Sequence, residues 1–169
     1  MIREFLRSES LSKVLAGLDP ARCHTAERDY WQLIEEIKVS DLKYSHNNIS
    51  RKFLHGDQAG RPVESLAEDL FAGRLQPTDV AALVGVRWKG KVFVICGNRR
   101  CKAMKLFAEW SASWHRQEPK ARVIVHDFPR LSGIDDPDVR WAFMLKATES
   151  MSTVTGGESV QVGRRCRHR

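Results

Sequence analysis

Apolar and polar positions along the chain divide it into a series of short elements. Residues 27–37, ERDYWQLIEEI, place Tyr30, Trp31, Ile34 and Ile37 at near-helical spacing and predict a helix. KVSDLKYS (38–45) carries Val39, Leu42 and Tyr44 on a short extended segment, and HNNISRKFLHGDQAGRP (46–62) reads as a long polar loop. A helix over 62–73 follows, with Pro62 in its first turn, Val63, Leu66 and Leu70 as its buried stripe and Gly73 at its end. Residues 82–88 and 92–96 are near-continuous apolar runs joined by Lys89-Gly90-Lys91, a hairpin pattern. Residues 98–114 predict a helix with Ala103, Leu106, Phe107 and Trp110 inward. A strand over 121–128 and a helix over 136–148 complete the core, and the Ser/Thr/Gly/Arg-rich chain from Met151 predicts disorder.

These elements imply a single α/β (α+β) domain over 26–148, a small mixed sheet with helices packed on it. A helical or flexible leader (1–25) and a disordered basic tail (149–169) flank it. No apolar run reaches the roughly 20 residues of a membrane-spanning helix. The leader lacks the continuous apolar core of a signal peptide, so an intracellular setting, cytoplasmic or nuclear, is expected. The four cysteines have no paired metal-site spacing, and no metal site is expected.

The net charge of +7 changes this picture because it is concentrated. Between Val80 and Ala108 stand Arg87, Lys89, Lys91, Arg99, Arg100, Lys102 and Lys105, with no acid among them. Such a concentration attracts phosphates or acidic partners. Its centre is VFVICGNRRCKAMKLF (92–107), where a buried strand turns through Gly97 into a helix that opens on two arginines. The first N–H groups of a helix form an anion site when exposed, and a glycine before them permits close approach. Arginines at that point add planar donors suited to paired phosphate oxygens. The alternative is that they bind acids of the chain itself, such as Asp41, Glu64 or Asp127.

The order of KVSDLKYS, ESLAEDLFAGRLQP, VICGNRRCKAMKLF and ARVIVHDF over residues 38–128 resembles the ParB/sulfiredoxin-like family, in a branch distinct from plasmid-partition proteins. GNRRC is similar to the family's G-E-R-R-x-R-A box, which contacts nucleotide phosphates. The resemblance implies phosphate contacts by Gly97, Asn98, Arg99 and Arg100. It implies a second phosphate-contacting segment in SHNNISRKF, with Ser45, His46, Asn48 and Arg51 as candidates and Lys102 beside them. A nucleoside triphosphate with magnesium, or a nucleic-acid backbone, DNA included, is the implied ligand. Asn98 replaces the box's acid, and no helix-turn-helix follows the core, which argues against site-specific DNA reading.

Two other classes stay open. A sulfiredoxin-like thiol enzyme would use Cys101, whose position in a helix's first turn among Arg99, Arg100 and Lys102 favours a thiolate. A non-catalytic interaction scaffold would use the arginines internally. Phosphodiester cleavage has less to rest on, since Asp135, Asp136 and Asp138 sit where a helix start wants acids, and His46, His55 and His126 lack ligand spacing.

Overall fold

A computed structural model describes residues 34–54, 56–127 and 151–163. The elements are β1 (Ile34–Lys38), β2 (Leu42–Tyr44), β3 (Asn48–Ser50), α1 (Val63–Phe71), β4 (Leu83–Trp88), β5 (Lys91–Cys96), α2 (Asn98–Ser113), β6 (Lys120–Asp127) and β7 (Gln161–Gly163). Short 3-10 turns cover Val39–Asp41 and Pro77–Asp79.

The result is a small α/β domain: a five-stranded mixed sheet in the order β1-β6-β4-β5-β2, with two helices packed on it. β4 and β5 pair antiparallel across the predicted hairpin, whose turn residues Lys89 and Gly90 both have positive φ (49° and 74°). That is the backbone twist two-residue hairpin turns require. β6 lies parallel to β4, and β2 parallel to β5.

One face of the sheet supplies Leu83, Val92, Val94, Val123 and Val125 to the core. Onto them pack Val63, Leu66, Ala67 and Leu70 of α1 and Cys101, Ala103, Met104 and Phe107 of α2. The opposite face, with Val84, Val86, Phe93, Ile95 and Ile124, is buried as well. Burial on both faces explains why β4 and β5 read as unbroken apolar runs rather than alternating ones.

The expected helix over 27–37 is corrected where the chain is described, because Ile34–Lys38 is an edge strand antiparallel to β6. Ile34 and Ile37 sit one helical turn apart, but pairing with Ile124 and Ala121 overrides that local spacing. Residues 46–62 are not all loop either, since β3 lies among them. Disorder from Met151 is corrected for 151–163. That segment is held by hydrogen bonds to Tyr44, Ser45 and Asn47 and by the parallel pair β3–β7. The leader 1–25, the helix over 136–148 and the chain end at 164–169 lie outside the described residues. No described helix is long and apolar enough to cross a membrane.

Candidate functional site

Gly97 is the hinge between β5 and α2. It takes φ 93° and ψ 23° as the residue before the helix, a left-handed conformation that costs a side-chain-bearing residue energy. A Cβ there would stand 2.7 Å from Leu83 Cδ2 and 2.9 Å from Arg100 Nη2. The space that glycine leaves is therefore lined by the Arg100 guanidinium. Arg100 Nη1 donates to the carbonyls of Ala81 (2.8 Å) and Ala82 (3.1 Å), which pins the start of β4 to the first turn of α2. This guanidinium thus answers backbone carbonyls of the chain itself.

Asn98 points inward. It is buried together with Ser45, and it makes no side-chain cap of α2. Its Nδ2 donates to the Val94 carbonyl (2.8 Å) and to Ser45 Oγ (3.1 Å), while its Oδ1 accepts the Ser45 N–H at 3.3 Å. Ser45 Oγ in turn donates to the Val94 carbonyl at 2.6 Å. Buried polar groups are tolerated when they are satisfied in this way. The network joins the ends of β2 and β5 to the beginning of α2, across 53 residues of sequence.

Arg99 faces the other way, toward the loop after β3. Its Nη1 lies 3.4 Å from both Ser50 Oγ and the Lys52 carbonyl, at the long end of hydrogen-bonding distance. That loop leads straight into α1: the Val63 N–H donates to the Arg51 carbonyl, and Phe53 and Arg61 are bonded across the loop. The start of α1 is thus tied to the same segment that Arg99 touches. At the far ends of the helices, Phe71 meets Trp110 and Trp114 in edge-on ring contacts. The two helices therefore pack together with both starts at the same end of the pair. Arg51 and Lys52 are exposed there, with Arg99 half-buried between them and the helix start.

Of the other candidates, Lys102 is half-buried one turn along α2, His46 is half-buried between β2 and β3, and Asn48 is exposed on β3. The structure thus brings SHNNISRKF beside GNRRC, but it divides the residues by role. Ser45, Asn98 and Arg100 build the turn, whereas Arg99, Arg51 and Lys52 present charge near it. Lys52 and Ser50 were not singled out by sequence. Their only signal was a place in a basic loop, and contact with α2 is a tertiary fact.

Cys101 departs from expectation. It is fully buried in the core, and desolvation pushes its thiol up to about 12 despite Lys105 and Lys102 nearby. Two lysines in the vicinity cannot offset removal from water, because a thiolate in an apolar interior loses its hydration. Burial and desolvation both disfavour a thiolate at Cys101. Cys96, at the end of β5, is half-buried. Among the described residues no group of three or more His, Cys, Asp or Glu could hold a metal ion.

Comparison with models of protein families and with curated proteins finds no match for this chain.

Proposed function

We propose that this domain binds a phosphorylated ligand, a nucleotide or a nucleic-acid backbone, at the pole where α1 and α2 begin, in the manner of a ParB/sulfiredoxin-like domain. One observation carries the reading. Arg99, from the strand-to-helix turn, meets Ser50 Oγ and the Lys52 carbonyl, 49 and 47 residues earlier, so that the two segments with phosphate-binding resemblance lie side by side. Arg99, Lys52 and Arg51 contact phosphate oxygens, while Gly97, Asn98, Arg100 and Ser45 hold the turn that presents them. Two helix starts at the same end of the helix pair add to the positive potential. A nucleoside triphosphate suits these donors, and a magnesium ion would arrive on its phosphates.

Thermal unfolding tests the reading against CTP, ATP, GTP, pyrophosphate and short DNA and RNA. A ligand at about 100 times its Kd stabilises by roughly 2.7 kcal/mol, a rise of roughly 5–10 °C for a chain of this size. Arg99→Ala and Lys52→Ala are expected to abolish the rise while leaving the unliganded midpoint within a few degrees. If no ligand raises the midpoint and Arg99→Ala only destabilises the fold, the basic pole is structural and the scaffold reading replaces this one.

A further inference from the structure

The segment 151–163 is attached to the domain in an unusual way. It carries few apolar anchors: Val154 is 85% exposed, Val160 is only partly buried against the core, and Gly157 is its one buried residue. It is held instead by hydrogen bonds to one short stretch, residues 44–50. The N–H groups of Ser152 and Thr153 both donate to the Ser45 carbonyl (2.9 and 3.0 Å). Tyr44 N–H donates to the Gly157 carbonyl at 2.9 Å. Asn47 is gripped at three atoms: its N–H donates to Ser152 Oγ, its Oδ1 accepts from Val154 N–H, and its carbonyl accepts from Gln161 N–H. β7 then pairs with β3 over Asn48–Ser50. Lys43 and Glu158 add an ion pair at 2.8 Å.

The same stretch feeds the basic pole. Ser45 belongs to the buried network with Asn98, and Ser50 touches Arg99, two residues before Lys52. An attachment made mainly of hydrogen bonds with little buried apolar surface is the kind that opens locally at low cost. We propose that residues 151–163 are a releasable strap that sets the affinity of the phosphate site. Docked, the strap holds residues 44–50 and so keeps Ser50 and Lys52 beside Arg99. Released, it leaves that edge loose and the site binds weakly. This inference rests on the phosphate reading above.

Gly157 offers a specific way to release it. A Cβ there would come within 2.7 Å of both Lys43 Cβ and the Tyr44 carbonyl oxygen, at a φ of +84°. Gly157→Val therefore unseats the strap. Glu158→Lys is a milder surface change that puts a repelling charge opposite Lys43. Hydrogen exchange over the full chain reads docking, and calorimetry with pyrophosphate reads the site.

Both variants are expected to lose amide protection over 151–163 and over 44–50, and to weaken pyrophosphate binding. Weakening is about tenfold if the docked population falls to about one-tenth. Glu158→Lys separates this mechanism from general charge, because added positive charge alone would tighten anion binding. Wild-type binding that Arg99→Ala abolishes but neither strap variant weakens overturns the strap while leaving the site reading intact. Unchanged protection over 151–163 in both variants, or loss confined to that segment, overturns it as well. Absence of wild-type binding to pyrophosphate and to every ligand of the thermal-unfolding panel removes the site reading and the strap's role together.

Discussion

At the scale of single residues, the turn at 97–100 shows how one short motif can divide between structure and surface. Asn98 is the clearest case, because its side chain is an amide facing two acceptors. Its Nδ2 donates to the Val94 carbonyl and to Ser45 Oγ, and a carboxylate in its place has no hydrogen to give either. Asn98→Asp therefore sets a buried charge against lone pairs. The expected loss is about 2–3 kcal/mol, the size associated with an unsatisfied buried polar group. Urea unfolding measures it, and a loss well below 1 kcal/mol would mean the network is not a stabilising clasp. Gly97 was legible from sequence as a special position. The reason was not, since the space beside it is lined by Arg100.

At the scale of elements, α1 is the best example of agreement between pattern and fold. Its apolar stripe, Val63, Leu66 and Leu70, is buried as the spacing predicts. The helix also buries Asp69, which the stripe does not explain. Asp69 accepts from Arg61 Nη2, in the loop before the helix, and from Arg74 Nε after it, both at 2.8 Å. It therefore ties both flanks of α1 to the helix. Those hydrogen bonds hold its carboxyl below the ordinary value of 3.8. A carboxyl depressed in the folded state contributes stability above its unfolded pKa and loses it as pH falls through the folded one. Between neutral pH and about pH 2, stability is expected to fall more steeply in the wild type than in Asp69→Asn, by chemical unfolding at each pH. Parallel slopes would assign the acid sensitivity to other carboxylates. β1 teaches the opposite lesson, because an isoleucine pair at i and i+3 suits a helix turn as well as an edge strand. Only β6 decided between them.

At the scale of the whole molecule, the charge balance bears on which phosphorylated ligand the proposed site would take. The net charge is +7, and the 80–108 stretch alone supplies that excess. Contact with a polynucleotide releases condensed counterions, so log affinity falls linearly with log salt at a slope near −0.9 per neutralised phosphate on duplex DNA. A nucleic-acid ligand spanning Arg99, Arg51 and Lys52 is expected to show a slope of about −3, reduced by about one in Lys52→Ala. A mononucleotide ligand is expected to leave the domain without measurable affinity for DNA or RNA at physiological salt. Fluorescence anisotropy across a salt series distinguishes the two.

What the chain determined by itself was whatever depends on neighbours in sequence. The α1 and α2 spans, the β4–β5 hairpin, the β6 strand and the special character of GNRR all follow from local periodicity, turn residues and charge. The tertiary structure alone decided which distant groups meet. It turned Asn98 and Arg100 inward, buried Cys101 so that desolvation outweighs the lysines near it, and set Lys52 beside Arg99. It also gave residues 151–163 an ordered place against Tyr44, Ser45 and Asn47. The physical reason is common to all of these. Burial and hydrogen-bond partners are properties of packed surfaces, and a residue's sequence neighbours do not specify which surface it will pack against or which way its side chain will face.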